Sequence, residues 1–267
     1  MGFNSFHNSA QNPAQIYYKW SGGAKEIELP DGSKAKKPRG DFTYWDGEAN
    51  QLVALPFTFC VLEQTRSING FAPTPGANIR FYSNEAITYE DEFTVFRKDE
   101  NGTEQILKGT YQEIKKNLPQ GAKLQINLYF YNPTNDQIER FNMSGAALSA
   151  FIDFTKKNKG LYEHPIIMEA GDVKTVGSVD FVPPKFKYGP AYDKDMMDKL
   201  AEQDKIVVDY MNEKRAQQGA SDSTAATGSI DQTPAQYQGE ENQETGEAGE
   251  VIENDDEAPL DLSEIPF

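Results

Sequence analysis

The chain has 267 residues and a formal net charge of −16, from 42 acidic and 26 basic residues. It is long enough to bury a sizeable core, and its single cysteine excludes an intramolecular disulfide bond. Thirteen of the acidic residues and none of the basic ones lie from Ala220 onward. The charge of the whole chain therefore describes its tail, because the part before Ala220 is close to neutral.

Polar and glycine-rich residues dominate the first 45 positions. We expect residues 1–13 to form a mobile arm. Two short runs of strand-forming residues follow at 16–20 and 25–29, and the Gly22-Gly23 pair between them predicts a β-hairpin. The basic stretch at 34–39 is expected to be a loop.

The core is predicted to begin near residue 51. Residues 51–69 are rich in β-branched and aromatic side chains, which predicts one long curved strand of the kind that opens a small barrel. Two further strands are predicted at 78–83 and 92–98. Since Cys60 lies within an apolar run, we expect its thiol to be buried.

Apolar residues recur near the helical period at 104–117, and the Pro-Gln-Gly sequence that follows would stop a helix there. The sequence therefore predicts a helix over 104–117. Strict alternation at 123–131 predicts a strand with one apolar face and one polar face. A turn then leads to another predicted strand at 137–143.

Ser144 is a suitable N-cap for a short helix at 144–158. Further strands are predicted at 165–169, 172–176 and 177–188. The total is about eight to ten strands with two inserted helices, which predicts a mainly β protein. We expect an OB-like barrel with extra strands and inserted helices, because five curved strands with one helix between the third and fourth describe that fold.

The last predicted helix, at 193–217, has a broad apolar face that must be covered by its own barrel or by a second copy. Beyond it, high acidity and low hydrophobicity predict disorder. The expected domain organisation is therefore an OB-like domain at 1–192, an amphipathic helix at 193–219 and a disordered acidic tail at 220–267.

Aromatic side chains that share a strand face with cations are candidates for nucleic-acid contacts, since bases stack on aromatic rings and phosphates pair with Lys and Arg. Tyr129 and Tyr131 share the predicted polar face with Lys123. Arg80 and Tyr82 lie opposite apolar neighbours on an earlier strand. A third group surrounds the basic stretch and consists of Trp20, Trp45, Lys34, Lys36, Lys37 and Arg39.

Catalytic patterns are weak in this chain. The two histidines, His7 and His164, are far apart in sequence, which argues against a zinc site or a Cys-His dyad. No glycine-rich phosphate loop followed by Lys-Ser or Lys-Thr occurs. Glu113 and Lys115 have the spacing of some metal-dependent nucleases, but they lie on a predicted helix where such a site needs a strand. We therefore expect no catalytic residues, no metal and no cofactor.

The last seven residues, with the sequence DLSEIPF, differ in composition from the rest of the tail. Ile265, Pro266 and Phe267 place two apolar side chains and a stiff bond beside the carboxylates of Asp261 and Glu264. Such a segment suits a small apolar pocket rimmed by Arg or Lys on another protein. The alternative is a frayed terminus that only aids solubility.

This acidic ending resembles the tip of bacterial-type single-stranded DNA-binding proteins, in which the tip recruits replication, recombination and repair proteins. The order of folded body, Gly/Gln/Ser-rich acidic linker and tip is that of the family, although Leu262 and Ser263 interrupt the usual acidic run. The body phrases LPFTFCVLEQTRSINGF and MSGAALSAFIDF resemble a bacteriophage version rather than the compact bacterial domain.

The sequence thus leads to the hypothesis of a non-enzymatic protein that coats single-stranded DNA without strong sequence preference during viral replication or recombination, and recruits enzymes through its tip. One alternative is a β-barrel adaptor that binds another protein, and a nearer one is a recombination annealing protein. Exposed side chains at Tyr129 and Tyr131 would favour DNA binding, whereas buried ones would favour the adaptor.

Cellular location is inferred from three features. There is no basic N-terminal segment followed by an apolar stretch, and no run of about 18 apolar residues. The single cysteine fits a reducing compartment. We therefore expect a soluble, cytoplasmic protein, in the cytoplasm of a host cell if the source is viral.

Overall fold

The computed structural model describes residues 11–30, 32–46, 48–73 and 78–221, and of residues 217–221 it describes the backbone alone. Most of the predicted N-terminal arm and nearly all of the predicted acidic tail, including Asp261, Glu264, Ile265, Pro266 and Phe267, lie outside these ranges.

The described residues form fifteen strands, two helices of more than one turn, and a single helical turn that runs into a short 3-10 helix. The strands are β1 (Tyr17–Ser21), β2 (Ala24–Glu28), β3 (Lys34–Pro38), β4 (Asp41–Trp45), β5 (Asn50–Leu52), β6 (Phe57–Phe71), β7 (Arg80–Ser83), β8 (Phe93–Asp99), β9 (Gly102–Gly109), β10 (Ala122–Asn132), β11 (Gln137–Met143), β12 (Ile166–Ala170), β13 (Lys174–Val176), β14 (Val179–Phe181) and β15 (Pro184–Tyr188). The helices are α1 (Tyr111–Ile114), the 3-10 helix η1 (Lys115–Asn117), α2 (Gly145–Lys157) and α3 (Lys194–Ser221).

One large sheet organises the molecule, in the order β5-β4-β1-β11-β10-β6-β7-β8-β9. Strand β12 pairs with β6 and with β15, while β2–β3 and β13–β14 are separate hairpins. The prediction of a mainly β protein with a C-terminal helix is confirmed. Among the residues described, the end strands β5 and β9 each have one partner, so the strand pairs do not close a barrel.

Strand β6 connects the parts of this architecture. Its centre pairs with β10 from Cys60 to Gly70, its beginning pairs with β12, and its end pairs with β7. The predicted strand at 51–69 is in fact two strands, since β5 ends at Leu52 and β6 begins at Phe57. Pro56 lies between them and lacks the N–H that a continuous ladder would need.

Two predictions near the N-terminus are wrong. Strands β1 and β2 do not form a hairpin with each other, because β1 lies between β4 and β11. Strand β2 instead pairs with β3, which contains all of the basic stretch except Arg39, and this stretch was expected to be a loop. A Gly-Gly pair permits a hairpin, but the apolar side chains of β1 gain more by packing in the large sheet, where Tyr18 and Phe42 stack at 5.0 Å.

The predicted helix at 104–117 is also largely wrong. Residues up to Gly109 continue strand β9, which pairs along its length with β8, and only Tyr111–Asn117 are helical. The helical turn begins with a capping box, in which the carboxylate of Glu113 accepts a hydrogen bond of 2.8 Å from the N–H of Thr110. The Thr-x-x-Glu pattern indicates where the helical turn begins. The residues before it are a strand because they pair with β8.

Helices cover the two faces of the sheet. Helix α2, which follows Ser144 as predicted, contributes Phe151 and Ile152 to a core beneath one face. Helix α3 buries Leu200, Val207 and Met211 against the other face. The C-terminal helix therefore packs on its own sheet.

Within the described ranges, no helix combines the length and apolarity needed to span a membrane.

Candidate nucleic-acid interface

The side of β10 that was predicted to be polar defines the site. Leu124, Ile126, Leu128 and Phe130 face the α2 core, so the alternating residues from Lys123 to Tyr131 lie on the opposite side. This polar side of the sheet has three parts with different environments: a covered end at Tyr129 and Tyr131, a hydrogen-bonded middle at Asn127, and an open end at Lys123.

Helix α3 closes the covered end. The side chains of Tyr129 and Tyr131 are 0% and 2% exposed and pack in one cluster with Val207 and Met211. The ring of Tyr210 lies 6.3 Å from that of Tyr129. The expectation that these two tyrosines are exposed for base stacking is therefore wrong. Sequence alternation predicted the side of the strand on which they lie. The apolar face of α3 is buried by packing on that same side, and this packing covers both rings.

The hydroxyl groups of both tyrosines have partners. Tyr131 donates a hydrogen bond of 2.8 Å to Asp136, which also forms an ion pair of 2.8 Å with Lys199 of α3. The ammonium group of Lys199 lies 5.0 Å from the centre of the Tyr131 ring. Hydrogen bonds from Lys199 and Tyr131 hold the pKa of Asp136 below its usual value. These contacts fasten the beginning of α3 to the sheet.

A charged network lies beside Tyr129. Glu85 accepts a hydrogen bond of 3.2 Å from the Tyr129 hydroxyl and one of 2.7 Å from Thr65, and it forms an ion pair of 2.5 Å with Arg140. The Arg140 guanidinium also lies 5.3 Å from the centre of the Tyr17 ring. Burial, aided by the negative charge of Glu85, raises the pKa of Tyr129 well above its usual value. The network is internally neutralised and offers no free cation to a phosphate.

The middle of this side is held by amide and hydroxyl groups. Asn127 is fully buried and donates hydrogen bonds to Thr65 at 3.2 Å and to Ser67 at 3.1 Å. The side chain of Gln125 donates one of 2.7 Å to the side-chain oxygen Oδ1 of Asn127. Because these groups satisfy one another, they fix β6 against β10 at the border of the open end.

The open end is a row of cross-strand partners. Lys123 lies opposite Asn69 of β6, Asn69 opposite Tyr82 of β7, and Tyr82 opposite Phe96 of β8. Directly opposed residues in antiparallel strands project to the same side of a sheet. A second row on the same side contains Phe71, Arg80 and Lys98. We call these seven residues the open sheet face.

Aromatic rings and cations meet on the open sheet face. The rings of Tyr82 and Phe96 stack at 5.4 Å with an angle of 25° between their planes, and Arg80 lies 5.7 Å from the centre of the Tyr82 ring. Both rings are half-buried, whereas Phe71 is 53% exposed and Lys98 and Lys123 are exposed. Among the described residues, neither lysine has a carboxylate within ion-pair distance. The surface can therefore present ring faces to bases and ammonium groups to phosphates.

Two glycines allow β6 and β10 to meet at this end of the sheet. A side chain on Gly70 would collide with the backbone of Gly121, and one on Gly121 would collide with the carbonyl group of Phe71. Gly121 also has a φ of +93°, which favours glycine. The close approach positions Phe71 beside the row that begins at Lys123.

The third predicted group is not part of this surface. Trp20 donates a hydrogen bond of 2.8 Å to the carbonyl oxygen of Val182 and packs against Gly40, so its indole supports the fold. Trp45 is half-buried on β4, next to the edge strand β5. Strand β4 is separated from β7 by four strands in the sheet order.

The basic residues of this group lie on and beside the β2–β3 hairpin. Lys34 pairs with Glu26 at 2.6 Å and Arg39 with Asp41 at 3.4 Å. Lys36 and Lys37 are exposed on β3. The hairpin is therefore a separate basic surface whose charge is partly compensated by its own carboxylates.

The structure thus brings together Arg80, Tyr82 and Lys123 from the predicted residues. It adds four residues that were not predicted from the sequence, namely Asn69, Phe71, Phe96 and Lys98. Phe96 and Lys98 alternate with buried Val95 in a predicted strand, so the alternation was visible. What the sequence lacked was the register that sets them opposite Tyr82 and Arg80.

Other kinds of site find no support in the ranges described. They contain no group of three or more His, Cys, Asp or Glu side chains arranged to hold a metal ion. Cys60 is buried, and burial raises the pKa of its thiol. Scans of the chain against models of protein families, curated proteins and solved structures each return no match.

Proposed function

We propose that this protein binds single-stranded DNA on the open sheet face. It acts without catalysis or cofactor, coats DNA with little sequence preference during viral replication or recombination, and recruits partner enzymes through residues 261–267. For the fold we propose an OB-like barrel with extra strands, which the strand pairs of the described residues leave open between β5 and β9. In favour of that fold, the two ends of the long strand β6 pair with different strands, β12 and β7.

The observation that carries the proposal is the row of Lys123, Asn69, Tyr82 and Phe96 across four adjacent strands. Neighbouring strands lie about 4.8 Å apart, so the row extends over roughly 14 Å. Stacking of a base on an aromatic ring contributes about 1–3 kcal/mol and does not depend strongly on base identity. Arg80, Lys98 and Lys123 supply the charge that a phosphate backbone requires.

The position of α3 connects this surface to the acidic tail. Near its end, Arg215 forms an ion pair of 3.1 Å with Asp91, which lies in the connection between β7 and β8. The chain therefore leaves the folded part beside two strands of the open sheet face. A tethered segment with thirteen acidic residues competes electrostatically with DNA for that face.

The first test is a fluorescence anisotropy titration of labelled oligo-dT and of a matching duplex with the full-length protein, at low and moderate salt. We expect tight binding to the single strand, much weaker binding to the duplex, and weakening with salt. The variant Tyr82→Ala should bind oligo-dT about fivefold to a hundredfold more weakly, which corresponds to about 1–3 kcal/mol of lost stacking.

Tyr162→Ala is the matched control, because Tyr162 is an exposed tyrosine outside the open sheet face. It should bind oligo-dT like the unaltered protein. Equal binding by all three proteins would remove the open sheet face from the interface. No binding to either nucleic acid would overturn the proposed function.

A second candidate function is a β-sheet adaptor that binds another protein. The burial of Tyr129 and Tyr131 favours it, because a base cannot stack on rings that α3 covers. The variant Tyr82→Ala distinguishes the two candidate functions. If the protein is an adaptor, the substitution does not change its affinity for nucleic acid, and the tail can then be used to identify the protein partner.

A further inference from the structure

A cavity of about 340 Å³ lies on the opposite side of β7–β9 from the open sheet face. Its lining includes Ile79, Phe81, Ile106, Leu107 and Pro119, with Arg97 as its cation. Phe81 and Arg97 are cross-strand partners. Phe81 lies between Arg80 and Tyr82 in sequence and Arg97 between Phe96 and Lys98, so both project to the other side of the same strands. The cavity is therefore mostly apolar and separate from the proposed DNA surface.

Arg97 gives the cavity a hydrogen-bonding requirement. One terminal nitrogen of its guanidinium pairs with Asp99 at 3.0 Å. Its Nε atom is buried and has no acceptor among the described residues. The Arg97 side chain as a whole is 42% exposed, so its guanidinium can also donate hydrogen bonds to a carboxylate of a bound segment.

Two lysines adjoin the lining residue Asn117 in sequence. Helix η1 contributes Asn117 to the lining, and its other two residues are Lys115 and Lys116. The acidic neighbours are Asp99, which pairs with Arg97, and the exposed Glu104, which lies opposite Arg97 on β9. Three cations and two carboxylates leave this region able to attract an acidic segment.

We propose that this cavity binds residues 261–267 of the same chain. Ile265 and Phe267 would enter the apolar hollow, Pro266 would limit the conformational freedom lost on binding, and Glu264 would face the Arg97 and η1 cations. The inference is independent of DNA binding. It assigns to the tip a first, intramolecular site that any protein partner must outcompete.

The length of the intervening chain permits this contact. About 40 residues separate the end of α3 at Ser221 from residue 261. A flexible linker of that length has a root-mean-square span of roughly 32–38 Å, whereas a domain of about 200 residues has a radius of gyration near 17 Å. Every surface of the domain is within reach, and tethering gives the tip an effective concentration of the order of millimolar. Even weak intrinsic affinity then fills the cavity.

Hydrogen exchange on the full-length protein tests the proposal directly. Replacing Ile265 and Phe267 by serine should accelerate amide exchange in residues 104–109 and 115–118 at least about threefold. A matched double variant, Val251→Ser with Ile252→Ser, removes similar apolar groups from another part of the tail and should leave these amides unchanged. Equal exchange in all three proteins would overturn the proposal. Protection that appears only after a hundredfold increase in protein concentration would also overturn it, because that result indicates binding between copies.

The cavity itself is tested with a fluorescein-labelled peptide of residues 256–267. The peptide is added to the full-length variant in which Ile265 and Phe267 are replaced by serine. Ile79→Glu in that background should weaken peptide binding at least tenfold, since it places a carboxylate at the cavity. Gln112→Glu adds the same charge at an exposed position on α1 and should have little effect.

Arg97→Gln is the second cavity variant and should also weaken peptide binding, because it removes the cation of the cavity lining. Peptide binding that survives both cavity variants but is lost in Tyr82→Ala would place the tip on the open sheet face and overturn the assignment. Neither result depends on whether the protein binds DNA.

Discussion

The two ends of the polar side of the sheet differ in whether α3 packs on them. At the covered end, Tyr129 and Tyr131 have the alternation expected of exposed residues, yet α3 buries them completely. At the open end, Tyr82 and Phe96 keep part of their rings accessible and lie among cations. In this sheet, tyrosines on the side opposite the apolar core therefore occur both under a helix and on an open surface. Their alternation in the sequence does not distinguish the two cases.

The largest expected difference between the two ends is in folding stability. Tyr129→Ala removes a fully buried ring and should lower the free energy of unfolding by about 3–5 kcal/mol. Tyr82→Ala removes a half-buried ring and should cost about 1–2 kcal/mol. Urea denaturation of both variants measures the contrast. Equal losses would show that the open sheet face is packed as tightly as the end beneath α3.

The next expected effect is on the salt dependence of DNA binding. Lys98→Gln and Lys123→Gln should each weaken oligo-dT binding severalfold at low salt. Each should also reduce the slope of log affinity against log salt by about one, since each variant removes one phosphate contact. Lys205→Gln changes an exposed lysine on α3 and is the control. An unchanged slope in the first two variants would mean that the phosphates lie elsewhere.

Removal of residues 222–267 tests whether the tail competes for the open end. We expect the shortened protein to bind oligo-dT about two- to tenfold more tightly at low salt, with the difference shrinking as salt screens the charges. The same removal should not change the environment of Tyr129, because α3 is retained. Unchanged affinity at low salt would eliminate competition by the tail.

The smallest expected effect concerns the contact of α3 with the covered end. Burial raises the pKa of Asp204 on α3, and burial together with the charge of Asp204 raises that of Glu63 on β6. Carboxyl groups with raised folded pKa values cost stability at neutral pH, and the cost falls as the pH drops toward those values. Asp204→Asn should therefore raise the melting temperature at pH 7 by a few degrees at most.

The advantage of Asp204→Asn should shrink between pH 7 and pH 5. Asp136 and Asp91, which pair with cations of α3, have lowered pKa values and stay ionised in that range, so they do not obscure the comparison. Thermal unfolding followed by circular dichroism over this range measures the effect. A stability difference that grows on acidification would show that the two carboxyl groups do not repel each other.

Local patterns predicted much of the strand structure correctly. The alternation of β10, the N-cap at Ser144 and the apolar face of α3 are all visible without tertiary information. Predictions failed where a segment had two local solutions. Residues 104–109 suit either a helix or a strand, and pairing with β8 selected the strand. The Gly22-Gly23 pair suits a hairpin, but β1 lies between β4 and β11 instead.

At the candidate site, the sequence was enough to show which residues of β10 share a side, because side chains alternate with a period of two. The sequence also showed that the apolar face of α3 must be buried against another surface. The three-dimensional arrangement was needed to show that α3 covers the Tyr129 end and leaves the Lys123 end open. It was also needed to show that Phe96 and Lys98 lie beside Tyr82 and Arg80. Both outcomes depend on register and on the path of the chain between elements, and a period of two carries no information about either.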